Sequence, residues 1–172
     1  MSKFTQNKRF WLILLAVPVL AIGWFLFRPE LLFVNQTVNE SLPTASAGAL
    51  PANTAAEPTA EPKLLRSGAF ESLAHQTKGT AGIYEINGKN VLRLTGFETS
   101  NGPDVRVYLV KGTDGKDNNA INAGGFVELG TLKGNIGDQN YEIPANIDLG
   151  EFSAVSIWCK RFAVNFGAAS LR

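Results

Sequence analysis

The sequence predicts a small all-β domain, an antiparallel β-sandwich or barrel-like module, over residues 67–172, behind one apolar helix and a disordered linker. Three observations lead there. From residue 67 onward, short β-prone runs alternate with turns rich in Gly, Asn and Asp. No stretch of helical period and adequate length interrupts them. Everything earlier is either continuously apolar or rich in Pro, Ala and Thr.

The expected strands are residues 69–76, 81–86, 90–95, 105–110, 125–129, 140–143, 154–159 and 162–166. Asn87-Gly88 reads as a tight hairpin turn, because both residues accept positive φ. Leu92 and Leu94 alternate with Arg93 and Thr95, as a half-buried strand requires. Val105, Val107 and Leu109 repeat the pattern against Arg106 and Tyr108.

Residues 10–27 carry no charge and, as a helix, would run roughly 27 Å, close to the hydrocarbon thickness of a bilayer. Trp11 and Trp24 fall near the ends, where such rings favour the membrane interface. A cleaved signal peptide shares the basic-then-apolar layout, but Phe25, Leu26, Phe27 and Arg28 stand where small residues should mark a cleavage site. The nearest small-residue triplets lie around Ala45 to Ala49. A transmembrane signal-anchor is therefore expected over 10–27. The basic tail 1–9, with Lys3, Lys8 and Arg9, would stay in the cytoplasm and the rest would be periplasmic or extracellular. Residues 28–66 hold five of the eight prolines and read as a disordered linker, about 35 Å end to end as a random coil. Asn35-Gln36-Thr37 and Asn39-Glu40-Ser41 within it fit the N-glycosylation pattern.

Composition excludes several function classes. Residues 67–172 carry ten Lys/Arg and eleven Asp/Glu, giving no basic footprint for nucleic acid. One Cys and one His cannot build a disulfide framework or a structural zinc site. No phosphate-binding loop, nucleophile elbow or zinc-protease motif occurs. Gly112 to Asn119 gathers oxygen-bearing side chains without calcium-loop spacing and reads as a solvated loop. No metal site is expected.

Two residues remain as chemical candidates. Cys159 is expected at a strand's end, where a side chain can reach the rim; Lys160 and Arg161 follow it, and nearby cations lower a thiol pKa. Strand alternation puts Arg161 on its face. The competing reading is a small buried hydrophobe. His75 is a weaker candidate, either a hydrogen-bonded surface residue, a proton partner for the thiol or an axial haem ligand. Met1 is the only methionine and no Cys-x-x-Cys-His run exists, so His/Met-ligated and covalent c-type haem are excluded within the chain.

Five blocks stand in order along the domain. They are Gly68-x-Phe70 with His75; Val91-Leu92-Arg93-Leu94 with Phe97; Asn101-Gly102-Pro103-Asp104-Val105 with Val107-Tyr108-Leu109; Leu129 to Pro144, with Gly134-Asn135 and Gly137; and Ile157-Trp158-Cys159-Lys160 with Phe162, Phe166 and Gly167. In these the chain resembles the DM-thirteen domain family, known from Skeletor-type proteins and bacterial membrane-anchored ones. The resemblance implies a β-sandwich-like electron-transfer or redox-sensing module whose motif cysteine is Cys159, acting as a bare thiol or as a ligand to a prosthetic group such as haem. Relatives often carry their electron donor on the same chain; here a redox partner would be met in trans. The alternative is a non-enzymatic binding or adhesion domain with a structural cysteine.

Overall fold

A computed structural model describes residues 8–27, 34–43, 61–112, 114–123 and 125–172. The chain runs α1 (Lys8–Phe27), β1 (Thr37–Asn39), β2 (Lys63–Ser72), β3 (Lys78–Ile86), β4 (Lys89–Glu98), β5 (Val105–Lys111), α2 (Asn118–Asn122), β6 (Phe126–Thr131), β7 (Ile136–Ile143), β8 (Phe152–Cys159) and β9 (Val164–Ser170). The strands form one nine-stranded sheet in the order β1-β7-β4-β3-β2-β9-β8-β5-β6. It curls into a half-barrel, bringing β6 near β7. The turn of the sheet is made by β2, which pairs β3 through Ala69 and then β9 from Phe70. All pairs are antiparallel except β1 with β7.

The expected all-β domain and its eight strands are present, most of them longer than the apolar runs that revealed them. Asn87 (φ 51°) and Gly88 (φ 73°) form the β3–β4 turn with both residues left-handed, as expected. Inward-facing Ile83, Leu92, Leu94, Val107, Leu109, Val155 and Ile157 are fully enclosed in the main core. Burying one such side chain contributes roughly 1.5–3 kcal/mol. Tyr108 departs from the alternation expected of its strand. Its outward face is buried too, because Ile121 of α2 and Phe126 fold over it, Val110 and Trp158. Its ring stacks on that of Phe126 at 4.2 Å.

The linker expected over residues 28–66 needs correction at both ends. β2 begins at Lys63, and residues 34–43 lie along β7, with Val38 opposite Gly137. The groove that receives them is shaped by missing side chains. A Cβ on Gly134 would collide with the Gln36 carbonyl, and one on Gly137 with that of Val38. Gly137 also has φ +101°, which disfavours any other residue. The intervening residues 44–60, with the Ala45–Ala49 triplets, lie outside the described residues, as do 1–7 and 28–33.

α1 is a 20-residue helix with Pro18 inside it, and side chains are described over residues 11–25. Among the described residues no helix is long and apolar enough to cross a membrane.

Candidate functional site

Antiparallel pairing brings one end of each of the five sequence blocks to one end of the half-barrel. β8 finishes there at Cys159, opposite Val105 at the start of β5 and Val164 at the start of β9. β4 finishes there at Glu98, opposite Ile136 of β7 and Lys78 of β3. The bend carrying His75 joins β2 to β3 at the same end. Buried polar groups lock these turns together. Thr77 and Thr99 share a hydroxyl–hydroxyl bond of 2.9 Å, and the Thr77 hydroxyl donates to the Phe166 carbonyl at 3.2 Å. The Thr99 N–H donates to the Asn135 carbonyl at 2.9 Å, while Asn135 Nδ2 donates to the Thr99 carbonyl at 3.1 Å.

A cleft of about 430 Å³ opens at this end, its walls including Val34, Gln36, Asn101, Asp104, Val105 and Asn135. The β1 segment forms one wall and is tied down by the β4–β5 and β6–β7 turns. Asn101 Nδ2 donates to the Val34 carbonyl at 2.9 Å, and the Gln36 N–H donates to Asn135 Oδ1 at 2.8 Å. Further along, Lys133 Nζ reaches both oxygens of Glu40 at 2.7 and 2.9 Å, and the Asn140 N–H donates to the same carboxylate at 2.8 Å. Partial burial works against the Glu40 charge. The Lys133 and Asn140 bonds and the Lys133 and Arg93 charges together outweigh it and hold the carboxyl below its ordinary value. Nearby, burial drives the Tyr141 phenol far above its ordinary value, so it stays protonated and donates to Gln139 Oε1 at 2.9 Å. Across the cleft, Arg106 bonds Asp104 at 2.5 Å and Glu128 at 2.8 Å.

Cys159 is 0% exposed and belongs to the main core. Among the described residues no polar partner of its thiol is found. The side chain expected at the rim is instead sealed beneath it by cross-strand neighbours. Arg161 does not share its face by alternation, because β8 stops at Cys159. Residues 160–163 are a turn, closed by Ala163 at φ 52°. Lys160 points to Glu128 at 3.2 Å. His75 is half-buried, with its ring 3.9 Å from that of Phe166 and its backbone N–H donating to the Phe166 carbonyl at 3.2 Å. The structure therefore places Cys159 and His75 at one end without forming them into a shared site, and neither lines the cleft. A haem ligated by Cys159 does not fit this packing, since its ring would have to occupy the space of Val105 and Val164. In the 112–119 loop, Asp114 and Asp117 accept from the N–H groups of Lys116 and Asn119, at 3.0 and 2.8 Å, as a self-capped turn does.

Sequence reasoning missed the cleft and the β1 segment, and gave Asn135 a place in a block but no role. The available signal was the pair Gly134 and Gly137 bracketing a strand's start, where glycine marks a close backbone approach. No curated protein and no solved structure matches the chain. Residues 69–171 match the family described as electron transfer DM13, a match that takes in the end of β2 and all of β3 to β9. The chain belongs to the electron transfer DM13 family.

Proposed function

We propose that the chain is a membrane-anchored electron-transfer module displayed on the outer side, with Cys159 as its redox residue and its partner met in trans. Family membership supports electron transfer. The observation that carries the assignment to Cys159 is its placement. It ends β8 where the family's blocks converge, one cross-strand step from Val105 in the cleft wall. Paired residues of this kind hold their side chains on one face, roughly 4.5–5.5 Å apart at Cβ. Val105 is thus the barrier between thiol and cleft.

The anchor rests on residues 10–27. Trp11, Leu12, Ile13, Leu14 and Phe25 are all more than half exposed on a helix that is apolar on every side, a surface suited to lipid and not to water. Lys3, Lys8 and Arg9 before it set the N-terminus in the cytoplasm.

A second reading is favoured by one observation, the full enclosure of the thiol. In that reading Cys159 packs as a small hydrophobe within a non-enzymatic binding or adhesion domain. Native-state titration with a small neutral thiol reagent separates the two. A redox thiol reached through the cleft reacts slowly in the wild type and markedly faster in Val105→Ala. A packing thiol stays inert in both until the domain unfolds.

A further inference from the structure

We infer that the cleft end of the domain rests on the outer surface of the bilayer, with the Lys160–Ala163 turn and the β2–β3 bend dipping into the lipid interface. The inference rests on the anchor proposed above and adds to it which end of the domain faces the membrane. Chain connectivity supplies the first support. β1 is docked on β7, and its leading residue Val34 lies in the cleft wall. Only residues 28–33 separate it from the end of α1, and seven residue steps span at most roughly 25 Å. The opposite end, at the β3–β4 turn beside Lys89, is farther by the length of β4, about 30 Å for ten residues. The long residue count between helix and β2 does not act as a leash, because the β1 segment takes hold of β7 before it.

The second support is independent of connectivity. Outside α1, the exposed large hydrophobic side chains among the described residues are Val34, Leu64, Leu73 and Phe162. Three of the four sit at the cleft end: Val34 in the cleft wall, Leu73 just after β2, and Phe162 in the turn before β9. Phe162 is 60% exposed and Leu73 39%. Phe162 follows Lys160 and Arg161, so an aromatic side chain and two cationic residues share one turn, the composition that favours an interface with anionic headgroups. Beside this turn Glu128 is bonded to Lys160 and to Arg106, which also bonds Asp104. The chemical class of the surface contacted is thus a lipid bilayer carrying anionic headgroups. The redox end is held toward partners resident in the same membrane.

The test uses the full chain reconstituted in vesicles containing anionic lipid, in a Cys159→Ala background. A polarity-sensitive fluorophore is placed at Phe162→Cys or at Lys89→Cys, and quenching by lipids spin-labelled near the headgroup is measured. Strong quenching at position 162 with background quenching at 89 is expected. Inserting twenty Gly/Ser residues between 33 and 34, which leaves the β1 segment intact, should lower quenching at 162 in vesicles of neutral lipid. A chain that fails to float with vesicles overturns the anchor and this placement together. A chain that floats but is quenched equally at both positions, or more at 89, overturns the placement alone. Quenching at 162 that appears only when a second membrane protein is added also overturns it, in favour of a protein surface.

Discussion

Asn135 illustrates how much of this site is carried by single side chains that composition does not advertise. Its amide holds the β1 segment through the Gln36 N–H and Asn35 Oδ1, and holds the β4–β5 turn through the Thr99 carbonyl. Replacing it with Ala strands buried partners, which costs about 1–3 kcal/mol. Asn135→Ala should lower the urea midpoint accordingly and increase proteolysis of the β1 segment. Cys159 was legible by type and by family, but its exposure was not. Alternation predicts a neighbour's direction only while the strand lasts, and here the strand ends on the cysteine itself. Cys159→Ser places a hydroxyl where the thiol has no polar partner, so it should cost about 1–3 kcal/mol in chemical denaturation. His75 was legible as the lone histidine. Its stacking on Phe166 depends on pairing between distant segments and left no local trace.

At the scale of elements, the strands were found because each has an apolar face, and their ends were missed because polar residues continue the ladder. β7 begins at Ile136 through Gly137 and Asp138, well before the run at 140–143 that revealed it. β1 was not legible at all. Thr37-Val38-Asn39 has no usable period, and it becomes a strand only because the Gly134–Gly137 groove accepts it. Gly137→Val should therefore undock β1 while leaving the rest of the sheet intact. The expected signature is loss of amide resonances characteristic of residues 36–40, with far-ultraviolet circular dichroism little changed. Docking should also be acid-sensitive. The Glu40 carboxyl lies below its ordinary value of 4.5 in the folded chain, so its contribution is complete above that value. The contribution is lost as pH falls through the folded value. Lowering the pH from 6 through the folded value should weaken β1 docking in the wild type, and Glu40→Gln should remove that pH dependence. Unchanged Val38 and Gly137 amide shifts across this range would count against the ion pair as an anchor.

For the whole molecule, the β1 segment moves the start of the folded unit from residue 67 back to 34. A chain beginning at 67 would cut β2, whose Lys63 to Arg66 pair with β3. One beginning at 61 would leave the Gly134–Gly137 groove and the buried Asn135 amide open. Chains starting at 34 should thus be more stable than chains starting at 61, by on the order of 1–3 kcal/mol if only the Asn135 partners are lost. Matched denaturation curves would check this. The fold class was readable because a chain with eight short amphipathic strands must cover its apolar faces by curling or stacking its sheet. Its one-sheet half-barrel form was not, because it depends on β2 changing partners midway. The same topology gathers one end of each of the family's blocks, the cleft and Cys159 together, and the assignment of electron transfer to Cys159 depends on that convergence. Its most direct test is treatment of the purified full chain with hydrogen peroxide beside Cys159→Ser, read by intact mass. A redox thiol gains one oxygen as a sulfenic acid with release of water, a thiol reductant removes it, and Cys159→Ser gains none while circular dichroism shows the fold retained. An oxygen gained equally by the serine variant, or a wild-type thiol that stays unmodified in the folded chain, would contradict it.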